Sequence, residues 1–212
     1  MFSHKKELFE PLSKRLLQKL PGQRAHEITK VTTDKTVDFP NTPQTAVPAA
    51  VLILLFPEEE DIHFFLTKRS NEVQHHKGQI SLPGGVWEES EQLHETALRE
   101  TEEEIGVAPQ DVQIIGSLTP FFTPVTGFMI HPYIGWSDKK PDTQIQDVEV
   151  ETLFTATLNE LAAEKTFQSE KWVIRGYNAR VPFFNFNGEK VWGVTAAILS
   201  EFKFILKDLA NS

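Results

Sequence analysis

The chain contains no cysteine, which excludes disulfides and thiolate metal sites and suits a cytoplasmic protein. No stretch reaches about 18 uninterrupted apolar residues, so no membrane span is expected. Residues 1–6 carry charge and lack the apolar run of a secretory signal. Positive charge is also scarce. Lys and Arg total 21 against 30 Asp and Glu, a formal net charge of −9. That balance argues against a broad surface for long nucleic acid, because phosphate contacts need clustered Lys and Arg. A small phosphorylated substrate remains compatible, since carboxylates attract divalent cations and those cations bind phosphates.

Large apolar side chains are well supplied. Sixteen Phe and four Trp in 212 residues, with 40% hydrophobic residues, are enough for a good-sized core. Residues 5–20 space Leu8, Phe9, Leu12, Leu16, Leu17 and Leu20 as a helix that Pro21-Gly22 stops. A polar arm follows to residue 44. We expect residues 1–44 to be a helix and connecting arm packed on a main domain of residues 45–212. Ala46–Phe56 and Ile62–Arg69 read as a strand hairpin across an acidic turn. Residues 70–85 read as a loop, and residues 91–105 as a helix with Ser90 as N-cap and Gly106 just past its end. Further strands are expected at 112–118, 129–136 and 171–174, and helices at 158–164 and 195–209. Strands mixed with helices at these lengths predict an α/β sandwich.

The helix at 91–105 carries the chemistry. At 100° per residue, Glu100, Glu103 and Glu104 fall within an arc of roughly 100°. Leu93, Ala97, Leu98, Thr101 and Ile105 form a neighbouring apolar stripe. Like charges three or four apart destabilise a helix by roughly 0.2–0.5 kcal/mol per pair, and they oppose each other's ionisation. Hard divalent cations relieve both problems. Arg99, four residues before Glu103, can orient or partly neutralise the cluster. Gly84-Gly85 would let the backbone approach a ligand closely. A solvated acidic helix face is the alternative when Glu102-Glu103-Glu104 is taken alone.

The whole pattern is more specific. Gly85, five residues, Glu91, seven residues, Arg99-Glu100, two residues, Glu103-Glu104, one residue, Gly106 and Val107 resembles the Nudix box. Thr101 departs from the aliphatic residue usual there. The resemblance implies a Nudix-type α/β/α sandwich with a mixed β-sheet, and hydrolysis of a nucleoside diphosphate linked to another moiety with Mg²⁺ or Mn²⁺. It implies Glu100 and Glu104 as main metal ligands, Glu103 as third ligand or base, Arg99 as the residue orienting Glu100, and Glu91 in an electrostatic or structural role.

The segment from Leu66 to Gly85, with Arg69, Lys77 and Leu82-Pro83-Gly84-Gly85, resembles the extra signature of the coenzyme A pyrophosphatase branch. Thr123–Phe128 with Pro132, and Trp192-Gly193-Val194-Thr195-Ala196, agree with it. Phe65 and Leu82 depart from it by apolar exchanges. The substrate implied is coenzyme A or a derivative, cut to 3′,5′-ADP and 4′-phosphopantetheine. Arg69 and Lys77 are then candidates for substrate phosphate. His75 and His76 are not expected to bind metal. Glu149, with Glu151 second, is the candidate acid outside the box that joins the metals or acts as base. ADP-ribose, another nucleoside diphosphate derivative or an mRNA cap is the alternative substrate. A nucleotide-sensing module without catalysis is the alternative to an enzyme. The sequence leaves the oligomeric state open.

Overall fold

The computed structural model describes residues 5–36, 39, 41–70, 79–146, 148–174 and 176–211. In chain order the elements are α1 (Lys5–Leu16), α2 (Gln23–His26), β1 (Thr32–Thr33), β2 (Val47–Glu58), β3 (Asp61–Arg69), β4 (Ile80–Ser81), β5 (Gly84–Val86), α3 (Leu93–Ile105), β6 (Gln113–Ser117), β7 (Phe121–Thr123), β8 (Phe128–Trp136), β9 (Val150–Thr157), α4 (Leu158–Ala162), β10 (Phe167–Ile174), β11 (Tyr177–Phe186), β12 (Glu189–Trp192) and α5 (Gly193–Ala210).

Among the described residues, eight strands form one sheet along the path β4-β3-β2-β8-β6. Off this path β5 joins β2, β7 joins β8, and β9 joins β3. The sheet is mixed: β2 runs parallel to β8 and antiparallel to β3 and β5. Strand β2 is its hub because Ala50 and Leu52 to Phe56 are buried on both faces, as a near-continuous apolar run requires. One face, with Leu52, Leu54, Phe56 and Phe65, packs against Ala97 and Ile105 of α3. The other, with Ile53, Leu55, Phe64 and Leu66, joins Leu8, Leu12 and Leu16 of α1 and Ile198, Phe202, Ile205 and Leu206 of α5. Helices on both faces of a mixed sheet give the α/β/α sandwich.

Four differences from the sequence reading have local causes. Helix α1 stops at Leu16, before Pro21-Gly22, and Leu17 is left 88% exposed. The expected loop at 70–85 contains β4 and β5, too short to show periodicity. Ser90 is not an N-cap: it has φ 83°, and α3 starts three residues later, behind Gln92, whose N–H donates to Glu95 Oε2 at 2.7 Å. A second antiparallel sheet, β1-β11-β10 with β12 on β11, is foreshadowed in the sequence only at 171–174. This sheet places Trp192 and the start of α5 beside β4, where Thr195 Oγ1 donates to the Ile80 carbonyl at 3.2 Å. Among the described residues no helix is long and apolar enough to cross a membrane.

An internal carboxylate ties these parts together. Glu201 of α5 is fully buried. Its Oε1 accepts from Gly22 N–H at 2.9 Å and Thr119 Oγ1 at 2.7 Å; its Oε2 accepts from Thr119 N–H at 3.1 Å and lies 3.0 Å from His26 Nε2. Burial pushes its pKa up, and the hydrogen bonds from His26, Thr119 and Gly22 more than offset this, so the carboxyl titrates below its usual range.

Candidate active site

Helix α3 forms because its apolar stripe meets the sheet. Thr96, Ala97, Thr101 and Ile105 are buried, and Gly106 closes the helix at φ 74° with its N–H on the Glu102 carbonyl. Thr101 fits there because its hydroxyl donates to the Ala97 carbonyl at 2.6 Å, so the polar group is satisfied within the helix.

Arg99 organises the acidic face. Its Nε and Nη2 reach the two Glu91 oxygens at 3.1 Å each. Nη1 donates to Glu100 Oε1 at 2.9 Å and to Glu103 Oε2 at 3.1 Å, and Nη2 also reaches the Val86 carbonyl at 3.1 Å. Glu91 additionally accepts from Thr96 Oγ1 at 2.7 Å and Glu88 N–H at 3.0 Å. The Arg99 guanidinium above all holds the Glu91 carboxyl down at about 2. Glu91 is thus a fixed anchor that aims Arg99 at Glu100.

The carboxylates do not share one environment. Glu100 and Glu104 line a cleft of about 570 Å³ with Arg69, Gly84, Gly85 and Glu149. Glu103 is 59% exposed and turned to Arg99, outside that lining. Burial raises the pKa of Glu100 despite Arg99. Glu104 is only 4% exposed, and burial pushes its carboxyl up to about 8, against the pull of Arg69 and the Gly84 N–H. The charge of Glu149 raises both. Among the described residues no three acidic or imidazole side chains converge as a ready-made metal centre. Mutual repulsion and Arg99 account for the spread.

Two buried atoms in this cleft nevertheless lack partners among the described residues: Glu104 Oε2 and Arg69 Nε. A buried carboxylate oxygen left unpaired costs roughly 1–3 kcal/mol or more, so such an atom marks a place where a ligand belongs. A hard divalent cation suits an oxygen donor of this kind.

The family model of the NUDIX domain matches residues 46–175, which contain this cleft's acids and the whole of α3. The chain belongs to the Nudix hydrolase family. It is 38% identical over 159 residues to "Nudix hydrolase 15, mitochondrial" of Arabidopsis thaliana, covering 71% of this chain and 55% of that one. It is 34% identical over 154 residues to "Uncharacterized Nudix hydrolase NudL" of an Enterobacter species, covering 72% of this chain and 79% of the relative. The chain thus spans about half the length of the plant relatives, where coverage is 55% and 52%. Among solved structures, the fold is similar to the Nudix hydrolase RenU from M. smegmatis. The TM-score there is 0.55 at 14% identity, over 85% of this chain and 94% of that one. It is also similar to a MutT/nudix family protein from Enterococcus faecalis. That match has TM-score 0.51 at 12% identity, over 100% of this chain and 76% of the other.

The Nudix glycines also have a packing reason. Gly84 and Gly85 lie in β5 and pair with Val51 and Ala50 of β2. A Cβ on Gly84 would sit 2.2 Å from the Ala50 carbonyl oxygen, and one on Gly85 would sit 2.3 Å from Glu100 Cδ. Gly85 therefore seats Glu100. Gly85→Ala should displace that carboxylate and lower kcat roughly ten- to hundredfold with the protein still folded. Steady-state kinetics with circular dichroism checks this, and an unchanged kcat would remove Gly85 from the site.

Lys77, His75 and His76 lie outside the described residues. Arg69 and Glu149, far apart in sequence, are brought to one cleft by strand pairing: Arg69 pairs with Val150, and Ser70 N–H bonds the Glu149 carbonyl at 2.9 Å. Sequence reasoning did not place Thr195 or Ile198 in this cleft, which they line with Thr123, Thr126 and Phe128. The only signal for Thr195 was its membership of the stretch Trp192–Ala196, and Ile198 had none; no spacing linked either to α3.

Proposed function

We propose that this Nudix protein hydrolyses the pyrophosphate linkage of coenzyme A or a derivative, using Mg²⁺ or Mn²⁺. One observation carries the reading: the buried, unpartnered Glu104 oxygen beside Glu100 in a cleft that also holds an unpartnered Arg69 nitrogen. Glu100 and Glu104 would hold the cation, with Glu103 as a third ligand or as the base. A bound divalent cation neutralises non-bridging oxygens and lowers the pKa of an attacking water.

The chain's own groups supply the rest. A carboxylate, Glu103 or Glu149, takes the water proton as the oxygen bonds to phosphorus. The bridging P–O bond breaks, and its electron pair leaves with the second phosphate. Arg99 positions Glu100, Arg69 and Lys77 bind substrate phosphate, and Gly84-Gly85 shape the floor. Residues 45–212 serve as the hydrolase domain, with residues 1–44 as an arm supporting it. The support for coenzyme A is that described residues from three stretches of the resemblance line one cleft: Arg69, Ser81, Leu82 and Gly85 from the first, Thr123 and Phe128 from the second, and Trp192 and Thr195 from the third.

A substrate panel with product identification tests this. We expect 3′,5′-ADP and 4′-phosphopantetheine from coenzyme A, activity abolished by chelator, and recovery with Mg²⁺ or Mn²⁺. Cleavage of ADP-ribose without cleavage of coenzyme A would overturn the substrate. Full turnover in excess chelator would overturn the metal.

A further inference from the structure

Trp192 ends β12 and lines the cleft, although phosphate and divalent-cation chemistry has no need of an indole. It is half-buried and held from one side. Trp172 meets it edge-on, with ring centroids 5.5 Å apart at 85°. Trp172 is itself fixed: it stacks on Phe183 at 5.8 Å and 22°, and its Nε1 donates to Glu170 at 2.9 Å. Lys190 Nζ completes the brace, 5.8 Å from the Trp172 ring and 5.1 Å from that of Phe183, while pairing with Glu170 at 2.7 Å. Side chains this constrained present a ring at little conformational cost.

The polar edge of Trp192 is free. Of the four tryptophans, Trp87 donates to the Glu91 carbonyl at 2.7 Å, Trp136 to Asp138 at 2.8 Å and Trp172 to Glu170. The Trp192 indole N–H has no acceptor among the described residues. Around it the cleft wall is apolar, formed by Val51, Leu82, Phe128, Ile130 and Val194.

We infer that Trp192 is the stacking platform for the nucleobase of the substrate, with its indole N–H donating to the nucleoside. This deepens the proposed reading and rests on it only for the identity of the phosphate end. The acidic chain repels the phosphates of a free nucleotide. Stacking on an uncharged ring attracts the base without that penalty, so the two ends of the ligand are recognised by different chemistry.

Calorimetric titration with adenosine 5′-monophosphate, in parallel with ribose 5-phosphate, separates base from phosphate. Trp192→Leu should weaken the adenosine monophosphate by roughly five- to hundredfold and leave ribose 5-phosphate unchanged. Trp192→Phe should keep most of the affinity. It should also abolish the quenching of intrinsic fluorescence that adenosine monophosphate causes in the unaltered protein. The second variant keeps a decision available if the leucine protein fails to fold. Equal losses on both ligands, quenching that survives in Trp192→Phe, or no binding of adenosine monophosphate by the unaltered protein would each overturn the platform. If no pyrophosphate substrate is cut while adenosine monophosphate still depends on Trp192, the hydrolase reading fails and the platform stands.

Discussion

Glu104→Gln should lower kcat by roughly 10²–10⁴-fold while making the metal-free protein more stable at neutral pH. The first effect follows from removing a charged oxygen donor where the chain offers few, since metal charge stabilisation supplies several kcal/mol of barrier. The second follows from burial. The folded carboxyl titrates near 8 rather than at 4.5. Below about pH 4.5 both folded and unfolded chains are protonated and the residue is neutral to stability. As pH rises toward 8, only the unfolded chain ionises, so stability is lost through that window, by about 3 kcal/mol at pH 7. Glutamine avoids this loss. Thermal melts with chelator should therefore separate the two proteins at pH 7 and bring them together below pH 4.5. Adding Mg²⁺ should raise the melting temperature of the native protein and leave the variant unmoved. A variant that turns over normally would place the reaction elsewhere.

Glu201→Ala should destabilise the fold by roughly 3–5 kcal/mol, the usual consequence of breaking a buried charged cluster from one side. For a chain of this size that is about 6–20 °C in Tm. The Gly22 and Thr119 N–H groups would lose their acceptor while remaining inside. Glu201→Gln keeps an acceptor oxygen and most of the volume, so it should fall between. Because the folded carboxyl titrates low, this contribution is present above pH 4.5 and disappears as acid is added through its depressed pKa. Chemical denaturation at pH 7 is the measurement, and a change under about 1 kcal/mol for alanine would contradict the role.

Glu104 and Glu201 mark the boundary of what sequence can reveal. Glu104 belongs to a helix, where position along the chain translates directly into position on a face. The same helical step puts Arg99, Glu100 and Glu103 beside it. Glu201 sits in an apolar helical run, and its partners lie 82 and 175 or more residues away. No local pattern encodes such a meeting. Strand β11 differs: Ala179, Val181 and Phe183 alternate with Asn178, Arg180 and Pro182 as a half-buried strand does, and Pro182 weakens that local signal, while pairing with both β10 and β12 secures the strand. The split between Glu104 and Glu103 is equally hidden. Helical angle puts both on the acidic arc, but the depth of the cleft beside β5 buries one and leaves the other to Arg99.

The packing of α1 with α5 has a consequence for how the protein is made. Leu8, Leu12 and Leu16 share one cluster with Phe202, Ile205 and Leu206, and Arg15 pairs with Asp208 at 2.8 Å. A ribosome adding roughly 5–20 residues per second reaches α5 about 180 residues after α1, or roughly 10–35 s later. Throughout that interval the leucine stripe of α1 lacks α5 and has only its partners in the sheet, among them Ile53, Leu55, Phe64 and Leu66. The core layer that α1 and α5 share is therefore completed only once α5 has been made, and part of the α1 stripe stays uncovered until then. Expression yield should respond to chaperone supply, and fragments lacking α5 should aggregate through α1.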